Sequence, residues 1–345
     1  MSAHNAIAQQ LTVAHLTGHS FPLQEQTSIQ HQARMISDHL KQPNAELWGK
    51  VFGVKSDYIL VRFHGKELLP AITPAPAAPA AAPAKHDRIA ASSHVLYSTD
   101  GALTFATLDL TTSNAADDSY QTGAAPTTSV IDALCAAIQG PFMGDPSYEY
   151  SLAHPTQTTT IKDAEGKETT VPVQVTLKEA QRLSWLVRTW DACCRVVPRG
   201  AVLEDERSAI MYNRTFDGLD RDAAGHTGSY VHLRSPACLA NTPNVEGVAN
   251  VISQNAGKAD NKAGKRLNAL LDKEGVHSKL DFLDPIAFDE PKHLWQLKYD
   301  LANDVIYGTN ALFAGSLFFH TPETPIFGNL YMGNGVLNTN MAFMF

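Results

Sequence analysis

Histidine is the residue type in this chain that most directly raises the question of a metal site, since the 345 residues include 14 of them. His226 and His232 are six positions apart, a spacing that suits neither face of a helix. No acidic or cysteine ligand completes a familiar zinc or calcium spacing around them. The sequence therefore predicts no structural or catalytic metal.

The cysteines are the next candidates for chemistry, and they are Cys135, Cys193, Cys194 and Cys238. None has Cys-x-x-Cys spacing, and adjacent cysteines rarely pair with each other. Cys193 and Cys194 lie near the end of a predicted helix, where the helix dipole disfavours a thiolate. We expect Cys194 to pack in the core and Cys193 to be an ordinary thiol, as is typical of a reduced, intracellular protein.

Enzymatic motifs are the third kind of site to consider. Gly257 and the Gly264-Lys265 pair are seven apart where a phosphate loop needs a spacing of five, and Arg266 occupies the place of the magnesium-binding Ser or Thr. No nucleophile elbow and no dinucleotide fingerprint is present. Asp145 is better explained as a turn former before proline, and Glu149 as an outward strand residue. We predict no catalytic residue and no cofactor.

Residues 142–150, Phe-Met-Gly-Asp-Pro-Ser-Tyr-Glu-Tyr, form the most informative segment, called here the signature segment. Gly permits positive φ, Asp can bond its own backbone and Pro fixes φ, so residues 144–146 predict a tight turn. Tyr148 and Tyr150 then share one face of a predicted strand.

Eight residues are candidates for a partner interface, because tyrosines dominate binding hot spots and arginines bind carboxylates in a bidentate manner. They are Phe142, Asp145, Tyr148, Tyr150, Arg199, Asn213, Arg214 and Phe216. The alternative is that the aromatic residues are core and that Arg199 and Asn213-Arg214 brace turns internally. The sequence leaves both interpretations open.

Composition excludes several classes of function. The chain is 44% hydrophobic and 18% charged, with a net charge of −8, which predicts a globular protein. No basic cluster favours nucleic acid. No apolar stretch approaches the roughly 20 residues of a spanning helix, and no signal peptide is recognisable. We therefore expect a soluble protein with neither nucleic-acid nor membrane partners.

The patterns that position these residues predict an α+β fold. We expect a flexible lead-in over residues 1–26 and a short N-terminal helix, with Ile29 to Leu40 at helical spacing. One long central helix is predicted from Thr176, with Glu179 completing a capping box and Pro198 ending it. Leu183, Leu186, Val187, Trp190 and Cys194 should form its apolar face, with Arg182, Arg188 and Arg195 on the surface.

The strands should form an antiparallel sheet of hairpins and a C-terminal meander. The predicted hairpins are 47–54 with 58–63 and 94–98 with 103–108, and the meander strands are 294–301, 304–307, 312–319 and 328–332. Residues 27–345 are predicted to be a single domain. Its expected surface insertions are 70–87, 111–128, 157–168 and 239–278, of which the first is Ala/Pro-rich.

Several segments resemble those of the radial spoke head protein 9 family of motile cilia and flagella. They are the signature segment and residues 197–201, 213–219, 280–284 and 341–345, in the family's order. The resemblance runs roughly from residue 30 to the end. The stretches at 70–85 and 239–278 look like additions to the family's frame.

The resemblance implies a structural, non-catalytic subunit of the axonemal radial spoke head, in the cytoskeleton of the cilium or flagellum. It implies binding to radial spoke head proteins 4 and 6 and to other spoke head subunits. Contact with the central-pair apparatus, made indirectly, would then regulate dynein-driven motility.

Two other classes of function stay open. A soluble α+β enzyme requires convergent titratable residues in a pocket. A cytosolic peptide-binding adaptor requires a regular, uncovered strand at a sheet edge.

Overall fold

A computed structural model of the chain describes residues 3–42, 44–65, 67–69, 93–110, 128–162, 168–204, 209–234, 283–289, 291, 293–338 and 340. The α-helices within them are α1 (Ala3–Val13), α2 (Leu23–Leu40), α3 (Thr128–Ala137), α4 (Glu179–Cys194) and α5 (Arg221–Ala224). Short 3-10 turns cover Ala14–Thr17, Thr227–Ser229 and Ile286–Phe288.

The strands follow in chain order and are mostly short. They are β1 (Asn44–Val51), β2 (Tyr58–His64), β3 (Glu67–Leu69), β4 (Ser93–Ser98), β5 (Ala106–Leu108), β6 (Glu149–Lys162), β7 (Glu168–Lys178), β8 (Val196–Pro198), β9 (Val202–Glu204), β10 (Ile210–Tyr212), β11 (Tyr230–His232), β12 (Trp295–Asp300), β13 (Val305–Asn310), β14 (Ser316–His320) and β15 (Phe327–Gly333). The predicted α+β class is confirmed.

Eight strands form the main sheet, in the order β12-β13-β14-β15-β1-β2-β4-β5. The C-terminal meander is confirmed, because β12 to β15 are successive antiparallel neighbours. Both predicted hairpins are confirmed as well, β1 with β2 and β4 with β5. Smaller sheets comprise β3-β10-β9, β8 with β11, and a two-stranded ribbon of β6 and β7.

The two halves of the main sheet meet at β1 and β15, which pair in parallel. Gly49 of β1 lies at a register shift and has φ of 148°. A Cβ at this position would lie 1.9 Å from the carbonyl oxygen of Tyr331 on β15. Only glycine permits this approach, as the sequence predicts for a strand glycine that leaves room for close contact.

The central strands of the main sheet are buried on both faces. Along β2, Tyr58 and Leu60 belong to one apolar cluster, whereas Ile59, Val61 and Phe63 belong to another. The first cluster includes residues of α3 and α4, and the second includes residues of α1 and α2. Helices therefore cover both sides of the sheet, which explains why β2 is an almost continuous apolar run.

The prediction of a flexible lead-in at residues 1–26 is wrong for residues 3–26. Ile7 and Leu11 of α1 are buried against the sheet, and α2 begins at Leu23. The lead-in looked unpatterned because α1 contributes only a few apolar side chains. The short N-terminal helix predicted from Ile29 is thus an 18-residue helix.

The start of α4 also differs from the prediction. Thr176 lies in β7, and the helix begins at Glu179. The side chain of Gln181, not that of Glu179, accepts the backbone N–H of Lys178 at 3.0 Å. Helix α4 ends at Cys194, before Pro198, because the chain turns directly into β8.

The apolar face predicted for α4 is confirmed, since all five of its residues are buried. The surface placement of Arg182, Arg188 and Arg195 is wrong, because all three are buried as well. The helix is enclosed on nearly every side, so its charged residues must find partners inside the protein.

Other predictions fall partly or wholly outside the described residues. These are the insertions at 70–87 and 239–278, most of the one at 111–128, and the segments 280–282 and 341–345. Of the insertion at 157–168, residues 157–162 and 168 lie in the β6–β7 ribbon. The single-domain assignment stays a prediction. None of the described helices combines the length and apolar character needed to cross a membrane.

Candidate functional site

The signature segment lies between the β1–β2 turn and the beginning of α4. Val54 N–H donates to the Phe142 carbonyl at 2.8 Å, and Lys55 N–H to the Met143 carbonyl at 2.9 Å. The Ser56 hydroxyl donates to the Gly144 carbonyl at 2.6 Å. The segment is therefore attached to the main sheet through backbone bonds that do not depend on its side chains.

Glu179, the first residue of α4, accepts hydrogen bonds from backbone N–H groups of the same segment. Its carboxylate is fully buried and accepts the N–H groups of Met143 at 2.7 Å, Gly144 at 2.7 Å and Asp145 at 3.1 Å. Three N–H donors around one carboxylate stabilise this buried acidic side chain. The turn and the helix start thus form one unit.

Two tyrosines complete the shell around Glu179. The hydroxyls of Tyr58, at 2.7 Å, and Tyr150 both donate to its carboxylate. Burial, together with this bond, raises the pKa of Tyr150 to about 12 and moves the pKa of Tyr58 further upward. Both phenols stay protonated donors at any physiological pH.

Arg182, one turn along α4, binds the carbonyl groups on the other side of the segment. Its guanidinium donates to the carbonyls of Gly140 at 2.6 Å and Pro141 at 3.2 Å. It also lies 4.0 Å from the centroid of the Phe142 ring, a cation–π contact. Glu179 therefore binds N–H groups of the signature segment, and Arg182 binds carbonyl groups just before its start.

Gly144 is the residue of the turn that no other amino acid replaces without strain. Its φ is +82°, and a Cβ there would lie 2.2 Å from the carbonyl oxygen of Ser56. The predicted tight turn at 144–146 has this physical cause. Asp145 contributes by accepting the N–H and the hydroxyl of Ser147, at 3.0 and 2.7 Å.

The aromatic candidates of the segment differ in burial. Phe142 is fully buried and Tyr150 is half-buried, whereas Tyr148 is 38% exposed. The rings of Tyr148 and Tyr150 meet edge to face at 5.0 Å. Asp145 is partly exposed and lies 4.0 Å from Lys55. Tyr148 is therefore the apolar side chain of this segment that a partner can reach.

The four remaining candidates form a second group around residues 199–216. Arg199 donates to the Gly228 carbonyl at 2.7 Å, and Asn213 to the Gly200 carbonyl at 2.9 Å. Phe216 is half-buried with its ring 6.1 Å from that of Phe327. Arg214 is exposed and has no ion pair with the described residues. No hydrogen bond or ring contact among the described residues joins the two groups.

A buried ion network, which the sequence analysis missed, connects α4 to the main sheet. Arg62 of β2 pairs with Asp191 and, at 3.0 Å, with Glu46, and Arg195 also binds Glu46, at 2.9 Å. Burial works to raise the pKa of Glu46, but Arg195 and Arg62 outweigh it and lower the pKa to about 2. Trp48 donates its indole N–H to Asp191 at 3.1 Å.

A signal for these residues was present in the run Leu183 to Val187. Five successive positions that all lack charge indicate a helix buried on more than one side. The charged residues that flank the run on both sides had then to be paired internally. Arg182 and Arg188 would follow from this reasoning, although their partners would not.

Chemistry other than binding finds little support among the described residues. They contain no group of three or more His, Cys, Asp or Glu side chains placed to hold a metal ion. Burial raises the pKa of the Cys135 thiol to about 12 and that of Cys193 to about 11. Cys194 is buried, as predicted. These thiols are poor nucleophiles at neutral pH.

Comparison with known proteins decides the family. No protein-family model matches the chain. A zebrafish (Danio rerio) protein named radial spoke head protein 9 homolog is 28% identical over 335 residues, covering 97% of this chain and 96% of its own length. The cattle (Bos taurus) and human (Homo sapiens) proteins of that name are each 30% identical over 220 residues, 64% of this chain and 68% of their own lengths.

The chain belongs to the radial spoke head protein 9 family. The resemblance drawn from the signature segment and its companions is thereby confirmed. The match to the zebrafish member spans 97% of this chain. In this member of the radial spoke head protein 9 family, the signature segment is first of all an architectural element built around Glu179 and Arg182.

Proposed function

We propose that this protein is a non-catalytic structural subunit of the radial spoke head in motile cilia and flagella. The proteins that this chain matches over most of their length are named radial spoke head protein 9 homologs, which supports this role. The observation that carries the proposal is that buried charged side chains stabilise the fold. Glu179, Arg182 and Asp191, which are buried titratable groups, are all consumed in bonds that hold the fold.

The surface left for partners includes two side chains of the signature regions. Tyr148 is partly exposed beside the rigid turn, and Arg214 is exposed in the Asn213–Phe216 turn. A tyrosine on a rigid support loses little conformational freedom on binding, and an unpaired arginine can bind a carboxylate of a partner. We assign these two residues to the partner interface, whereas Phe142, Tyr150, Arg199, Asn213 and Phe216 support it from within.

The partners in this proposal are the paralogous radial spoke head proteins 4 and 6, and through them the central-pair apparatus. The protein would transmit mechanical contact by shape and buried surface, with no turnover. The net charge of −8 gives no attraction for nucleic acid. The place of action would be the axoneme.

Co-expression with radial spoke head proteins 4 and 6, followed by size-exclusion chromatography with light scattering, tests the proposal. We expect co-elution as a complex of defined mass, weakened by Tyr148→Ala and by Arg214→Ala. Leu103→Ala and Arg34→Ala, at exposed positions elsewhere, are the matched controls. If the protein co-eluted with neither partner, the assignment would be ruled out.

Stability measurements separate an interface role of Tyr148 from a core role. Because Tyr148 keeps 38% of its surface exposed, Tyr148→Ala should lower the free energy of unfolding by about 1 kcal/mol. Phe142→Ala, at a fully buried ring, should cost about 3–5 kcal/mol. Urea unfolding of the isolated variants gives both values. Equal losses would show that Tyr148 is a core residue and remove it from the interface.

A further inference from the structure

Strand β12 forms one edge of the main sheet. It runs from Trp295 to Asp300, pairs with β13 on one side, and has no strand on its other side among the described residues. The opposite edge strand, β5, is only three residues long. A regular edge of this length presents unpaired backbone groups to which a further strand can bond.

The register of the β12–β13 hairpin shows which backbone groups are free. Ala311 N–H donates to the Leu294 carbonyl at 3.0 Å, one position beyond the first ladder pair, Trp295 opposite Asn310. Hydrogen-bonded residues alternate along an antiparallel pair. Residues 296, 298 and 300 therefore bond to β13, and the N–H and C=O groups of Leu297 and Tyr299 point toward the free edge.

One face of this edge strand carries partly exposed apolar and aromatic side chains. Leu297 is half-buried, Tyr299 is 44% exposed and Leu301, just after the strand, is 83% exposed. On the alternate positions, Lys298 is exposed and has no ion pair among the described residues, and Asp300 lies two residues further on. Free edges are commonly protected by charged side chains, and β12 carries its charges, Lys298 and Asp300, on one face only.

We propose that two copies of this chain associate through β12, paired antiparallel about a twofold axis at Tyr299. In this register each Lys298 lies opposite Asp300 of the second copy, and each Leu297 lies opposite its Leu301. The two Tyr299 residues exchange backbone hydrogen bonds on the axis. The contact is isologous and closed, so it produces a dimer and not a fibre.

Charge complementarity selects this register over its neighbours. A twofold axis at Lys298 would set the two lysines opposite each other, which is unfavourable for like charges. An axis at Leu297 would place Lys298 opposite Gln296 and leave Asp300 without its partner. Only the axis at Tyr299 joins both ion pairs and both leucine pairs.

The contact is short, with about five residues from each copy. Its area falls below the roughly 1,200 Å² of a standard stable interface, so we expect a dimer that dissociates on dilution. This inference does not depend on the proposed function, because it concerns the isolated chain.

Charge exchange between the copies is the decisive experiment. Light scattering and analytical ultracentrifugation of the full chain, over a hundredfold range of concentration, should show a monomer–dimer equilibrium. Lys298→Glu and Asp300→Lys, each alone, should be monomeric at concentrations where the unaltered protein is dimeric. Mixing the two variants should restore the dimer, because each interface then regains opposite charges. Arg34→Glu, an equal charge change on α2, should leave the equilibrium unchanged.

A cross-link at the axis keeps the test decisive if Asp300→Lys disturbs the turn, where Asp300 accepts the Ala302 N–H at 3.0 Å. Opposed residues of a hydrogen-bonded pair have Cα atoms about 5.5 Å apart, within disulfide range. Tyr299→Cys should therefore form a covalent dimer under mild oxidation, and Lys55→Cys should not.

Three results would overturn the inference. One is an unaltered chain that stays monomeric throughout and a Tyr299→Cys variant that does not cross-link. Another is a dimer that neither charge variant weakens, which would place the contact elsewhere. The third is a monomer whose Lys298→Glu variant loses radial spoke head proteins 4 or 6, since β12 would then bind a different protein.

Discussion

At the scale of single residues, buried charged side chains in this protein form hydrogen bonds with backbone groups that the signature segment does not pair within itself. Residues 143–145 of the signature segment lie outside the described strands and helices, and Glu179 accepts their three N–H groups. Arg182 does the same for its carbonyl groups. Buried ionised groups are tolerated only when they are bonded in this way, so these side chains should be sensitive to even conservative change.

Glu179→Gln is the most direct test of this role. The amide has one acceptor oxygen where the carboxylate has two, and its NH₂ group would face backbone donors. We expect a loss of roughly 3 kcal/mol or more in the free energy of unfolding, measured with urea. Glu149→Gln, an identical change at an exposed position, should cost almost nothing. Equal effects of the two changes would contradict the assigned role.

Asp284 should make the stability of the protein depend on pH near neutrality. Burial raises the pKa of Asp284 from 3.8 to about 6, although Arg234, 3.6 Å away, opposes the shift. Because the folded state binds this proton more tightly than the unfolded state, the contribution of Asp284 to stability falls as the pH rises from 4 to 7. The negative charge of Asp289, in the same cluster, adds to the rise of this pKa.

Asp284→Asn isolates this contribution. The free energy of unfolding of the unaltered protein, minus that of the variant, should decrease by roughly 2–3 kcal/mol between pH 4 and pH 7. Denaturant titrations at several pH values measure the difference, from which independent groups cancel. A difference that does not vary with pH would show that Asp284 titrates at its ordinary pKa.

At the scale of elements, helix α1 is attached to the main sheet by a polar side chain. Gln10 is buried, accepts the Leu47 N–H at 2.8 Å and donates to the carbonyls of Leu47 at 2.9 Å and Asn329 at 2.8 Å. Leu47 precedes the register shift in β1, where a ladder leaves backbone groups unpaired. The helix thus supplies bonds that the two central strands cannot make with each other.

Gln10→Leu should therefore uncouple α1 from the sheet. The substitution leaves the backbone of Leu47 without its partners, and we expect roughly 2–3 kcal/mol of destabilisation. Hydrogen exchange should show faster exchange in α1 and β1 than in β13 and β14. Gln24→Leu, at an exposed position of α2, is the control. Unchanged protection in α1 would mean that its apolar side chains alone dock the helix.

At the scale of the whole molecule, the parallel contact of β1 and β15 joins the beginning of the chain to its end. The N-terminal hairpins and the C-terminal meander become one sheet only through this pair. The aromatic side chains of Trp48, Trp190 and Tyr331 then meet across it, with ring centroids 5.1 to 6.0 Å apart. The core on the α4 side is therefore assembled from three distant parts of the chain.

Gly49→Ala should disrupt this junction. The new methyl group would overlap the Tyr331 carbonyl, at 1.9 Å, and the two central strands would have to separate. We expect a loss of more than about 3 kcal/mol, or failure to fold. Gly101→Ala has the same kind of positive φ but no atom within 4 Å, so it should cost only about 1 kcal/mol. Thermal unfolding compares the two variants, and similar melting temperatures would contradict a central role for the junction.

Local patterns in the sequence were sufficient for the strand and helix types. The β-rich run of β2, the Asp-Gly turn before β5 and the Gly/Pro punctuation of the meander depend on neighbours a few residues apart, and all were predicted correctly. Helix α1 was missed because Ile7 and Leu11, one turn apart, mark its buried face among alanine and polar residues, which is a short signal. The start of α4 was misplaced because Thr176 fits a capping box equally well in isolation.

The sequence by itself determined the family, the α+β class and the tight turn at Gly144, because each depends on residue types in a short, recognisable order. Only the tertiary structure decided that Arg182, Arg188 and Arg195 are buried, that Glu179 holds the signature turn, and that β1 pairs with β15. These features join residues tens to hundreds of positions apart, and their energies depend on burial, which no local pattern reports.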